Sequence, residues 1–137
     1  MNQSESKPQP STRDPEQLEE NKRLVAKVFE VAYGRGDNFH LLDEVIAEDY
    51  IQHNPDAGQG LEGVKRFFEE VLVPLPDWLD ARGTVEVNYI AEGELVVRQE
   101  IRNHGMLVDI FRVRDGLLRE HWDAFRPDPG TDRIPGF

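Results

Sequence analysis

Apolar residues recur at helical spacing along the first half of the chain and alternate along the second. Leu24, Val25, Val28, Phe29 and Ala32 fall at three- and four-residue steps. They predict an amphipathic helix that starts in the acidic, proline-containing stretch 14–18 and stops around Gly34 and Gly36. A shorter helix fits residues 39–47, capped by Asp37 or Asn38, with Leu41, Leu42, Val45 and Ile46 inward. Residues 49–55 read as a short extended piece broken by Pro55. A third helix spans 61–72, with Leu61, Val64, Phe67, Phe68, Val71 and Leu72 on one side, and Pro74 and Pro76 end it. Beyond Asp80 the period becomes two, and residues 84–91, 95–102, 106–113 and 117–125 read as strands. Their connections, Glu92-Gly93-Glu94, Asn103-His104-Gly105 and Arg114-Asp115-Gly116, are too short for crossover helices, so neighbouring strands must be antiparallel. The order predicts an α+β fold: about three N-terminal helices packed on one face of a curved, mostly antiparallel sheet enclosing a pocket.

Composition sets the bounds of this domain. Residues 1–17 contain Pro8, Pro10 and Pro15 and no aliphatic or aromatic residue after Met1, so burial cannot offset their ordering entropy. They are expected to form a disordered tail, with residues 18–127 the folded domain and 128–137 a C-terminal extension. The extension ends in Ile134-Pro135-Gly136-Phe137, which fits packing on the body or a partner subunit as well as it fits a frayed end. Sixteen Lys and Arg against 27 Asp and Glu give a net charge of −11, which argues against nucleic-acid or anionic-membrane partners. The absence of cysteine excludes disulfides, thiolate nucleophiles and cysteine-ligated metals. No apolar run is long enough for a membrane span, and residues 1–16 lack the apolar core of a signal peptide, so a cytoplasmic location is expected.

The candidate chemistry lies in the last hairpin. His121 and Asp123 are two apart on a strand, hence on one face and about 7 Å apart, with Glu120 and Trp122 on the other. If the His121 face looks inward, burial raises the Asp123 pKa towards the range where a carboxylate can take and return a proton. If it looks outward, Trp122 fills the core; periodicity supports both equally. His53, beside Gln52 and Asn54, ends the short extended segment near a pocket mouth, where these groups suit orienting a carbonyl or stabilising an enolate oxygen; capping turns explain them too. Asp109 interrupts the apolar run of Leu107, Val108, Ile110 and Phe111 and is expected to pair with Arg112, Arg119 or Arg98, or to face the pocket.

Tyr50-Ile51-Gln52-His53-Asn54-Pro55, Gly60-Leu61-Glu62-Gly63-Val64-Lys65-Arg66-Phe67-Phe68, Ala91-Glu92-Gly93-Glu94-Leu95-Val96, Val108-Asp109-Ile110-Phe111-Arg112-Val113 and Glu120-His121-Trp122-Asp123 together resemble the SnoaL-like polyketide cyclase family of the NTF2-like superfamily. The resemblance covers roughly residues 18–127. It implies a cone-shaped α+β barrel with a deep pocket and cofactor-independent acid/base catalysis. It makes Asp123 the general acid/base of an intramolecular aldol condensation, and it implies dimers or tetramers joined through the outer face of the sheet. Many relatives place a histidine where this chain has Gln99, which cannot shuttle a proton.

The combined expectation is an enzyme in which Asp123 removes a proton beside a carbonyl and His121, His53 or Gln52 stabilises the enolate. Gln99, Asp109, Trp122 and Phe111 complete the substrate site. The expected partner is a carbonyl-containing small molecule, with neither metal nor cofactor. Two alternatives are a non-catalytic binding or assembly module and an epoxide hydrolase using Asp109, Arg98 and Asp123. Three motif matches are set aside. Gly58-Gln59-Gly60-Leu61-Glu62-Gly63 fits a dinucleotide fingerprint but follows a proline-broken segment rather than a buried strand. His121-Trp122-Asp123 fits half of a facial-triad iron site but has no second histidine after it. The acidic clusters lack EF-hand spacing.

Overall fold

A computed structural model describes residues 14–32, 34, 39–55, 57–72 and 83–129. Helix α1 (Pro15–Ala32) opens on a proline, whose missing N–H is harmless in a first turn, and the Asp14 carboxylate accepts the Glu16 N–H at 3.0 Å. Residues 15–17, assigned to the tail from sequence, are therefore the first turn of this helix. The rest of the expected tail, and the expected C-terminal extension beyond residue 129, lie outside the described residues. Val25, Val28 and Val31 are buried along one side of α1, as the three- and four-residue spacing requires.

The second predicted helix is shorter than its pattern. A 3₁₀ turn (Phe39–Leu41) leads into α2 (Leu42–Val45), and Ile46 already begins strand β1 (Ile46–Gln52). The local spacing suits a helix through 47, but pairing with the last strand of the chain overrides it. Helix α3 (Gly60–Phe67) widens into a π-helical turn (Phe68–Leu72), so the third predicted helix is one continuous piece. Pro74, Pro76 and Trp78 lie outside the described residues.

The remaining strands are β2 (Thr84–Glu92), β3 (Leu95–Arg102), β4 (Gly105–Arg114) and β5 (Leu117–Pro127), each within two residues of its predicted bounds. They form an antiparallel meander, and β1 adds in parallel beside β5, giving the order β1-β5-β4-β3-β2. The sheet is mixed and open, with β1 and β2 as its edges, rather than a closed barrel. Its inner face, carrying Val96, Leu107, Phe111, Val113 and Leu118, packs on Val25, Val28, Val31, Leu42 and Val45 of the helices.

One irregularity matters for the site. In the β4–β5 pairing Arg112 faces Glu120 but Val113 faces Leu118, so Arg119 is an extra residue, a β-bulge. Strict alternation from buried Leu118 sends His121 outward. The bulge turns the strand so that Leu118 and His121, three apart, are both buried.

The inner face also holds a charged group. Glu100, fully buried, accepts hydrogen bonds from Arg98 Nη1 at 2.8 Å, Arg102 Nε at 2.9 Å and Thr84 Oγ1 at 2.8 Å. Burial pushes the Glu100 carboxyl up, but the hydrogen bonds from Arg98 and Arg102 outweigh it and hold the pKa at about 2.

The chain entering α3 is fixed by a close backbone approach. A Cβ on Gly63 lies 2.3 Å from the carbonyl carbon of Gly58, a distance that only movement of the loop relieves. Gly63→Ala is expected to cost about 1–3 kcal/mol. Urea denaturation checks this, and a wild-type midpoint means that the loop ahead of α3 yields freely.

Candidate functional site

A cavity opens between the helices and the inner face of the sheet. Its wall is apolar, built from Val28 and Phe29 of α1, Phe67 and Phe68 after α3, and Leu107 and Phe111 of β4. Its polar end carries Tyr50, Gln52, Asn54, Asp109, His121 and Asp123. The cavity has a volume of about 80 Å³, space for several water molecules.

Strand registration assembles the polar end. Asp109 on β4 lies directly opposite Asp123 on β5, and Phe111 lies opposite His121. Two carboxylates facing each other across strands repel, so this arrangement needs a proton or a cation between them. His121 Nε2 sits 2.8 Å from Asp109 Oδ1 and 3.9 Å from Asp123 Oδ2. Asn54 Nδ2 donates to Asp123 Oδ2 at 3.0 Å. Asp109 is 4% exposed, and its Oδ2 has no hydrogen-bond partner among the described residues. Burial pushes the Asp109 carboxyl up, and the His121 contact only partly opposes this. Tyr50 lies stacked beside the His121 ring, and its hydroxyl is held well above the usual phenol value by burial and then by the charges of Asp109 and Asp123.

The hydrogen-bond network assigns the imidazole tautomer. Gln52 Oε1 accepts the Asn54 backbone N–H at 2.9 Å, which identifies that amide atom as oxygen, and the same atom lies 2.8 Å from His121 Nδ1. Nδ1 therefore carries hydrogen and donates to Gln52, and Nε2 faces the carboxylates. Gln52→Leu leaves two donors without an acceptor and is expected to cost about 1–3 kcal/mol. Thermal denaturation beside Gln52→Glu, which keeps an acceptor, measures the difference; equal losses in the two variants argue against this role.

Five residues singled out from the sequence meet here: Asp123, His121, Gln52, Asp109 and Phe111. The group that hydrogen-bonds Asp109 is His121; of the three arginines, Arg98 stands opposite it across β3 and β4 and acts on it through its charge. Three others lie elsewhere. His53 alternates with Gln52 and Asn54, so it points away from the cavity; its ring stacks on Trp122 at 4.9 Å and its Nε2 contacts Glu120 Oε2 at 2.8 Å. Trp122 follows His121 on β5 and occupies the outer face, beside Arg112. Gln99 lies between the buried Arg98 and Glu100, hence on the outer face, where it accepts a hydrogen bond from Asn88 at 3.1 Å and donates to the Met106 sulfur. Arg98, the cation of the epoxide-hydrolase arrangement, does not line the cavity; it binds Glu100 and Tyr89 and stacks over Phe29 at 3.9 Å. Tyr50 was missed from the sequence, although it shares the alternation of Gln52 and Asn54.

The helix-covered mixed sheet, with an acid and imidazole cluster at one end of an apolar cavity, has the fold of solved NTF2-like proteins. The family model of the SnoaL-like domain matches residues 25–121, well over half of the chain, which therefore belongs to the SnoaL-like domain family. No curated protein matches significantly. Among solved structures, a protein from Jannaschia sp. CCS1 described as a candidate SnoaL-like polyketide cyclase is 19% identical, with a TM-score of 0.56 over 79% of this chain and 86% of that one. A candidate ketosteroid isomerase from Kribbella flavida DSM 17836 is 22% identical, with a TM-score of 0.53 over 87% and 93%. An NTF-2 like protein of unknown function from Burkholderia xenovorans LB400 is 16% identical, with a TM-score of 0.58 over 86% and 89%. At these identities the structural likeness speaks for the fold alone. No helix among the described residues is long and apolar enough to cross a membrane.

Proposed function

We propose that the protein is an acid/base enzyme acting at the carbon beside a carbonyl group of a small molecule, with Asp123 as the base. One observation carries this reading: the Asp123 carboxylate faces an apolar cavity and is oriented there by Asn54. A carboxylate held facing the space a substrate occupies is placed to remove a carbon-bound proton. Asp123 takes that proton and the bond's electron pair moves onto the carbonyl, giving an enolate. With a proton on Nε2 as well as on Nδ1, His121, held by Asp109, supplies the hydrogen bond that stabilises the enolate oxygen. In a cyclase of the polyketide type the enolate carbon then attacks a second carbonyl of the same molecule, and the new alkoxide recovers the proton from Asp123. Phe29, Phe67 and Phe111 hold the carbon skeleton against the acid cluster.

The lining bears on the substrate. Among the described residues no lysine or arginine lines the cavity, and two aspartates do, so an uncharged carbonyl compound is favoured over a carboxylate. The outer face of the sheet, with Ile90 and Leu95 exposed on it, is the surface we assign to a homodimer. The reading is tested by exchange of carbon-bound hydrogen for deuterium in uncharged 1,3-dicarbonyl compounds, followed by NMR in deuterated buffer. Exchange above the buffer rate supports it; across a panel of such compounds, exchange no faster than in buffer overturns it.

A further inference from the structure

Along the sequence, His121-Trp122-Asp123 supplies only half of a facial ligand set, and no second histidine follows it. The fold supplies the missing ligand from another strand. Asp109 on β4 stands opposite Asp123, and Asp109, His121 and Asp123 each offer one ligand atom, all within 4.8 Å of one another. We propose that this cluster is a binding site for one divalent transition-metal ion of the zinc, cobalt or manganese type, held by His121 Nε2 and the carboxylates of Asp109 and Asp123, with its open coordination positions facing the apolar cavity.

Four features point to a cation rather than to an ordinary ion pair. The first is spacing. Ligand bonds of about 2.0–2.2 Å place neighbouring donor atoms about 3–3.5 Å apart, and the separations here, 2.8 Å from Nε2 to Asp109 Oδ1 and 3.9 Å from Nε2 to Asp123 Oδ2, lie on either side of that range, so small side-chain shifts bring both ligands onto one ion. The second is the tautomer. The Nδ1–H of His121 is engaged by Gln52 Oε1, which aims the Nε2 lone pair into the cluster, the arrangement metal-binding imidazoles use. Asn54 orients Asp123 in the same way. The third is an orphan atom: Asp109 is 4% exposed, and its buried Oδ2 has no hydrogen-bond partner among the described residues, leaving a second oxygen for a cation.

The fourth feature is charge. Asp109 and Asp123 face each other across a low-dielectric cavity that no lysine or arginine lines among the described residues. Arg98, opposite Asp109 on β3, acts on it through its charge, but its hydrogen bonds go to Glu100 and Tyr89, so it leaves the pair of carboxylates only partly balanced. A divalent ion neutralises both carboxylates and leaves the imidazole uncharged. One imidazole with two carboxylates suits borderline ions better than the all-oxygen sites of calcium or magnesium.

The site does not depend on the acid/base reading, and the two are separated by experiment: deuterium exchange by metal-free protein tests the reaction, and metal binding tests this cluster. The full-length protein is stripped with a chelator and titrated with zinc by calorimetry and with cobalt by visible absorption. One saturable site is expected, with a cobalt spectrum stronger than that of the hydrated ion. Asp123→Asn and His121→Gln are each expected to weaken binding at least 100-fold, and Gln52→Leu about tenfold through loss of ring orientation. Circular dichroism checks that the variants fold. If His121→Gln does not, Asp123→Asn at the half-buried rim and Gln52→Leu carry the test. Absence of saturable binding at millimolar metal overturns the proposal. So does binding that survives in every folded variant, which assigns the metal to surface carboxylates of this −11 chain.

Discussion

Replacing Asp123 with Asn is expected to lower the rate of carbon–hydrogen exchange by about 100- to 10,000-fold, the usual contribution of a positioned general base. The fold is expected to survive. Asn has the shape of Asp, its side-chain oxygen still accepts the Asn54 amide, and the repulsion from Asp109 across the strands disappears. Stability unchanged or slightly raised, together with a collapsed rate, is therefore the signature of a chemical rather than an architectural role. Exchange followed by NMR on matched wild-type and variant protein reads the rate, and thermal denaturation reads the fold. A variant that exchanges as fast as wild type removes Asp123 from the mechanism and leaves Asp109 as the carboxylate to consider.

The largest effect on stability is expected from Glu100→Gln. Glu100 is fully buried and joins two guanidinium groups, Arg98 and Arg102, whose side chains are 6% and 0% exposed. Removing the negative charge leaves two buried cations facing a neutral amide, and breaking a buried pair in this way costs about 3–5 kcal/mol. The cost depends on pH in a defined direction. The Glu100 carboxyl titrates at about 2 in the folded chain against an ordinary value of 4.5. Its contribution is therefore full above about 4.5 and fades as pH falls through about 2. Denaturant curves for wild type and variant are expected to stand far apart at neutral pH and to converge in acid. A gap independent of pH means that shape, not charge, is what the variant loses.

Much of this architecture was legible before any coordinates, because it rests on spacing. The four meander strands were marked by alternation and by short polar turns, and α1 by its stripe of valines. Less legible were features set by contacts across the chain. Residues 46 and 47 read as the end of a helix, yet pairing with β5 makes them strand. The site divided in the same manner. Asp123 and His121 were found by their types and mutual spacing, but which side of β5 enters the cavity depends on Arg119, and nothing in the local pattern marks a bulge there. His53, Gln99 and Trp122 were chosen by chemistry alone, and strand alternation places all three on the outer surface. Tyr50 and Asn54 follow from applying that same alternation to Gln52. The Asp109–His121 contact was illegible because it depends on the register between β4 and β5.

The extra residue at Arg119 has a consequence for comparing sequences. It means that the cavity is encoded by a residue count as well as by residue types. An alignment that closes the gap there matches His121 and Asp123 of this chain to outward-facing positions of a relative. It then reports the acid cluster as missing where it is present. At identities near 20% such an error is easy to make. A deletion variant lacking Arg119 is the physical counterpart of that misalignment: a chain with Asp109, His121 and Asp123 all retained and the last two turned to the outside.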